Sequence, residues 1–302
     1  MQHPFQGSYV ALPTPFREGR IDLEAFEEMI DYHAEHETAG LVVAGTTGEA
    51  PTLNEYEHRS LLHAAVDFSR GRLPVIAGVG KNCTRTSVEL ARFAASSGVD
   101  GVLVVTPYYN KPSPRGLLLH FGQIADAIDL PLMLYNVPSR TGIDLTVEVA
   151  AELAARHENV VAIKEASRSV ERVIELVART DLDVLCGEDS LIARFVAAGA
   201  AGAVSVMANL VPDEVAELVR CARAGGDPDR AAELDAHLAP LARDLYVEVN
   251  PVPVKAALAR LCRCREEVRA PLAPLEDESR ARLLATLERV GLLAPEKEPV
   301  LK

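Results

Sequence analysis

Short apolar runs recur along the chain, and between them apolar residues return every three or four positions. The runs fall at residues 8–12, 40–44, 74–78, 101–105, 131–135, 160–164, 183–186 and 203–206. A run with no polar alternation predicts a strand buried on both faces, as in a parallel sheet. The stretches between them predict helices at about 22–36, 55–69, 84–96, 114–128, 146–156, 169–179, 190–198 and 212–223. Start signals support several of these. Asp22 stands before the first helix, and Ser113-Pro114 supplies a cap and first turn for the fourth. The second has two capping-box registers, Thr52 with Glu55 or Asn54 with Glu57. Eight alternating units predict a (β/α)8 TIM barrel of parallel strands. A doubly wound open sheet would need a glycine-rich first turn, but this chain has Pro13-Thr14-Pro15-Phe16 there.

After Gly225-Gly226-Asp227-Pro228 the strand signals stop, and helical patterns follow at about 229–246, 253–264 and 276–292. The expected organisation is a barrel at 1–225 carrying the active site and a C-terminal helical extension at 226–302, loose from Ala294 onward.

Composition narrows the partners. The 302 residues carry a formal charge of −13, which argues against nucleic acid or an anionic membrane surface. An anionic substrate must then find local cations. Met1-Gln2-His3-Pro4-Phe5 has no basic segment leading into an apolar one, and no apolar run approaches the ~18 residues of a membrane span. The five cysteines, Cys83, Cys186, Cys221, Cys262 and Cys264, are odd in number and irregularly spaced. Cys262 and Cys264 are expected on different sides of a helix. Neither a disulfide framework nor a zinc site is expected, and the reading is cytoplasmic. His33 and His36 share a helix face without a third ligand, so no metal site is expected, and no phosphate loop or dinucleotide fingerprint is present.

Chemistry in a barrel sits at the carboxyl ends of its strands. There the chain places Gly45-Thr46-Thr47-Gly48-Glu49, Thr106-Pro107-Tyr108-Tyr109-Asn110-Lys111-Pro112, Tyr135-Asn136-Val137-Pro138-Ser139-Arg140-Thr141-Gly142, Lys164-Glu165 and Gly187-Glu188-Asp189. Taken singly, each has a plain structural reading: a turn, an aromatic plug, a surface cation, a salt bridge. Together on one rim they form coherent chemistry. A lysine ending a buried strand is either ion-paired or a working amine, and desolvation favours the neutral amine that attacks carbonyls. Lys164 attacking a keto acid gives an imine, whose protonated form acidifies the adjacent carbon. Tyr135, on the neighbouring strand, is the phenol that can move the proton, with Thr46 and Tyr109 extending the relay. Thr47 and nearby amides can hold one carboxylate, and Arg140 a second.

With these residues in place, the chain resembles the pyruvate-dependent class I lyases of the dihydrodipicolinate synthase / N-acetylneuraminate lyase family. The likeness covers almost the whole chain, including Asn250-Pro251-Val252-Pro253-Val254-Lys255. It implies a Schiff base between Lys164 and pyruvate, with no cofactor. It also implies a relay of Tyr135, Thr46 and Tyr109, with Tyr109 reaching into a neighbouring subunit's site, and Thr47 and Val204 lining the pyruvate pocket. Thr46-Thr47 and Arg140 follow the dihydrodipicolinate synthase branch rather than the sialic acid lyases. The implied partner for Arg140 is therefore the carboxylate of L-aspartate 4-semialdehyde, and the implied assembly is a homotetramer, a dimer of dimers. Other pyruvate aldolases, 2-keto-3-deoxy sugar-acid dehydratases and a non-catalytic keto-acid sensor remain as alternatives. Two departures concern feedback. Lysine-inhibited members usually have a histidine where this chain has Glu55 and a glutamate where it has Thr86, while Asn82, Tyr108 and His58 are kept. Losing that glutamate removes a contact of roughly 1.5–3 kcal/mol, so lysine inhibition is expected to be weak or absent.

Overall fold

The computed structural model describes residues 5–294, and the tail expected beyond Ala294 lies outside the described residues. Eight parallel strands close into a barrel: β1 (Gly7–Ala11), β2 (Gly40–Val43), β3 (Val75–Gly78), β4 (Gly101–Val105), β5 (Leu132–Asn136), β6 (Val160–Glu165), β7 (Asp183–Cys186) and β8 (Gly202–Ser205). Each pairs with the next, and β8 returns to β1 in the register Gly7↔Gly202, Tyr9↔Val204. The closing seam is tight. A Cβ on Gly202 would stand 2.0 Å from the Gly7 carbonyl oxygen, so only glycine lets these two strands meet.

Helices cover the outside at Leu23–Ala34, Glu55–Ser69, Thr84–Ser96, Pro114–Ala125, Val147–Arg156, Val170–Arg179, Ile192–Ala197 and Pro212–Ala222. For the second of these, Asn54 is the cap. Its side chain accepts from the Glu57 amide at 2.9 Å, and Glu57 returns a bond to the Asn54 amide at 3.0 Å. Two small elements are additions to the expected pattern. A hairpin of Phe16–Arg17 and Arg20–Ile21 follows β1, its turn held by Glu267 accepting from the Glu18 and Gly19 amides. A four-residue helix, Pro138–Thr141, follows β5.

Beyond the barrel run helices Pro228–Asp244, Val252–Arg260 and Asp277–Arg289. Cys262 and Cys264 lie past the end of the second of these rather than within it, and Cys262 has a left-handed φ of 58°. All five cysteines are free. No described helix is long and apolar enough to cross a membrane.

Candidate active site

Strand alternation separates Lys164 from Glu165. Glu165 faces outward, where Asn136 Nδ2 (3.1 Å), Arg172 Nε (2.7 Å) and the Ser167 amide (2.8 Å) all donate to it. Lys164 faces the barrel interior at 6% exposure, in register with Tyr135, and its Nζ lies 4.5 Å from the centre of the Tyr135 ring. Among the described residues its amine forms no ion pair. The other buried lysine is the opposite case: Lys255 Nζ sits 2.7 Å from Glu49 Oε1, and both side chains are closed off from solvent.

A cavity of about 430 Å³ opens over Lys164 at the carboxyl ends of the strands. Tyr135, Thr46, Thr47 and Arg140 share its wall with Lys164. Thr47 is fixed by a 2.9 Å bond from Asn250 Nδ2, and Arg140 Nη2 donates to the Asn250 carbonyl at 3.3 Å. The short helix carrying Arg140 is pinned beneath by Thr106 and Thr141, 3.3 Å apart. Gly187 shapes the floor: a Cβ there would lie 3.0 Å from Lys164 Cε and 3.1 Å from its Cγ.

Two expected residues fall elsewhere. Tyr109 is 89% exposed at a left-handed φ of 73° and does not line the cavity within its own chain. Val204 is fully packed in β8 and does not line the cavity, whereas Val206, just past the end of that strand, does. Among the described residues no hydrogen bond links Tyr135 to Thr46 or Tyr109.

Sequence reasoning gave no role to Glu188, Asp189, Tyr246 or Asn250. Asp189 is buried and accepts from the Val206 amide (3.2 Å) and the Met207 amide (2.8 Å), which sets the position of Val206. Burial pushes its carboxyl up to about 6, against the Ser205 hydroxyl and the Met207 amide, which favour ionisation. Burial likewise raises the Tyr246 phenol well above its ordinary value. Tyr246 and Asn250 come from the chain beyond the barrel, so the wall is not built from residues 1–225 alone. The Asn250-Pro251-Val252-Pro253-Val254-Lys255 motif is the sequence signal for that, and nothing in the hydrophobic pattern marks Tyr246.

A second cavity of about 320 Å³ adjoins the first, sharing Thr46, Tyr135, Arg140 and Asn250, and reaches Lys81 and Tyr108. Lys81 Nζ donates to the Ala50 carbonyl at 3.2 Å, and burial lowers its pKa. His58 is buried against the Gly78 carbonyl (2.9 Å), and burial, with Lys81 nearby, pulls it down to about 4. Among the described residues no group of three or more His, Cys, Asp or Glu side chains can hold a metal ion.

A desolvated, unpaired amine at the carboxyl-end face of such a barrel is the arrangement of the barrel lyases. Comparison with known proteins narrows the class: residues 4–290 match the dihydrodipicolinate synthetase family, and the chain belongs to it. A 4-hydroxy-tetrahydrodipicolinate synthase of Pelobacter propionicus is 47% identical over 291 residues, covering 96% of this chain and 100% of that one. The crystal structure of the Aquifex aeolicus dihydrodipicolinate synthase superposes with a TM-score of 0.93 at 44% identity, covering 94% of this chain and 98% of that one. A dihydrodipicolinate synthase variant described as monomeric has a TM-score of 0.93 at 40% identity, covering 96% and 98%.

Proposed function

We propose that the chain is a 4-hydroxy-tetrahydrodipicolinate synthase that condenses pyruvate with L-aspartate 4-semialdehyde through an imine on Lys164, a step towards diaminopimelate and lysine. The Lys164 amine adds to the pyruvate ketone carbon and water leaves. The protonated imine then draws electrons from the methyl group, which gives up a proton and becomes an enamine. The enamine carbon attacks the aldehyde and the new alkoxide takes a proton; the substrate's own amine then adds to the imine carbon and displaces the Lys164 amine, closing the ring and freeing the lysine. The imine is itself the electron sink, so no cofactor enters. Tyr135, Thr46 and Tyr109 are the proton relay in this reading, Thr47 and Val206 bound the pyruvate end, and Arg140 takes the aldehyde's carboxylate.

The observation that carries the reading is the contrast between the two buried lysines. Lys255 is saturated by Glu49, whereas Lys164 is desolvated beside the Tyr135 ring with a cavity in front of it. Arg140 in the same wall favours an acidic aldehyde over a neutral one. Tyr109 belongs to a neighbouring chain's site in this reading, within a homotetramer built from tight dimers. A cytoplasmic location fits a biosynthetic enzyme of this kind.

Borohydride reduction tests the central step. With pyruvate present, intact-mass and peptide analysis is expected to find a carboxyethyl adduct on Lys164. Lys164→Arg keeps the charge but cannot form the imine; it should fold, show no adduct and lose roughly 10³-fold or more in kcat. A folded wild-type protein that gains no mass under these conditions would be a keto-acid binder, not a lyase.

A further inference from the structure

Glu188 and Tyr246 line the catalytic cavity with Arg140, yet the imine chemistry gives neither a task. Both carry polar groups that the chain leaves largely unsatisfied. The Glu188 carboxylate accepts one long bond from Ser190 Oγ, at 3.4 Å, and lies 3.7 Å from Arg168, which is itself exposed. Its neighbour Asp189 is instead fully engaged by two backbone amides. The Tyr246 hydroxyl has no hydrogen-bond partner among the described residues, and it stands within electrostatic reach of Asp189, Glu188, Tyr135 and Arg140.

The wall is otherwise organised to collect anions. It presents Lys164, Arg140, Arg168 and Arg243, and Glu188 is the one carboxylate among the residues that line it. In a pocket for two carboxylate substrates, a lone acid repels both unless one of them brings a cation to meet it. Pyruvate carries none. An α-amino aldehyde acid carries an ammonium and a carboxylate on the same carbon.

We infer that Glu188 and Tyr246 together bind the α-ammonium group of the aldehyde substrate while Arg140 holds its carboxylate, so that the cavity selects an amino-aldehyde over the same aldehyde lacking the amine. The inference rests on the function proposed above and assigns two residues of the wall to the ammonium group that its aldehyde carries. A charge-assisted contact of this kind corresponds to roughly ten- to a hundredfold in affinity.

The test compares KM for L-aspartate 4-semialdehyde with the inhibition constant of succinic semialdehyde, which lacks only the amine. Glu188→Gln is expected to raise the first by roughly ten- to a hundredfold and leave the second within about threefold. Tyr246→Phe, a near-isosteric change, should move the same ratio in the same direction by a smaller factor. Pyruvate-dependent borohydride trapping of Lys164 is measured on every variant and separates the two levels of the argument. If wild type traps pyruvate but both variants keep the wild-type ratio, or lose both aldehydes equally, the inference is wrong and the imine reading stands. If wild type does not trap pyruvate, the proposed function fails and takes the inference with it.

Discussion

Among the described residues two lysines are buried, and their surroundings separate what each can do. Burial draws the Lys255 ammonium down while Glu49 holds it up, and the pair joins the loop after β2 to the segment after Asn250. Removing one partner leaves the other charge stranded, a structural penalty. Lys164 has no such anchor, and its aim depends on what surrounds its methylenes. Gly187 is the tightest of these contacts, 3.0 Å from Cε for any added Cβ, with the Ala166 Cβ equally close. Gly187→Ala is therefore expected to displace the amine rather than unfold the barrel. A misplacement approaching 1 Å corresponds to roughly a 10²-fold loss in kcat. Steady-state kinetics beside a thermal melt checks this, and an unchanged kcat would show that the amine tolerates the shift. Lys164, Tyr135, Thr46 and Arg140 were legible in the sequence because the strand pattern fixes which residues stand at the rim. Glu188 and Tyr246 were not, since whether a side chain turns into a cavity depends on packing between segments some sixty residues apart, which no local pattern encodes.

At the scale of elements, the eight strands were readable because double-sided burial writes continuous apolar runs, and most helix starts because their caps are local. The Phe16–Ile21 hairpin was not, for it is held by Glu267 from the far end of the chain. The C-terminal helices are tied by one carboxylate: Asp244, at the end of helix Pro228–Asp244, accepts from Arg282 Nε (2.8 Å) and Thr286 Oγ1 (2.7 Å) of helix Asp277–Arg289, and from Arg243 (2.8 Å). Burial alone would raise its pKa, but these donors outweigh it and hold the carboxyl far below its ordinary value. A depressed folded-state pKa contributes stability above the unfolded value near 4 and loses it as pH falls further. Asp244→Asn is expected to cost about 2 kcal/mol at pH 7 and to narrow its deficit below about pH 4, read by urea denaturation across pH. A deficit independent of pH would show that packing, not charge, joins the helices. Three elements also bear on feedback. Glu55 and Thr86 lie exposed on two helices, His58 is held at Gly78, and Lys81 adds an ammonium to the cavity that Tyr108 lines. A cationic amino acid meets an added cation there, and Glu49, the glutamate in that wall, is already paired with Lys255, so turnover should be undiminished at millimolar L-lysine in a coupled assay. Inhibition below a millimolar would overturn this.

The whole molecule carries −13 charges, yet its catalytic cavity gathers cations, so the surface field opposes anionic substrates and the local wall must overcome it. One proposed relay member is missing from that wall within the chain: Tyr109 projects at 89% exposure from the loop after β4. A tyrosine held outward at a left-handed φ is costly unless something receives it. In a two-fold dimer each chain can give its Tyr109 to the other's Lys164, because the same surface contacts itself. Mixing two dead variants decides the matter. Lys164→Arg homodimers lack the amine in both sites, and Tyr109→Phe homodimers lack the phenol in both. If Tyr109 acts across the interface, a hybrid has one site missing both groups and one site complete. Statistical reassociation makes half the dimers hybrids with one good site each, so activity should recover to about a quarter of wild type. If Tyr109 serves its own chain, every site in the hybrid lacks one group, and mixing restores nothing. Reassociation is verified by native mass spectrometry of the mixture, so a silent mixture with hybrids present counts against an interface role.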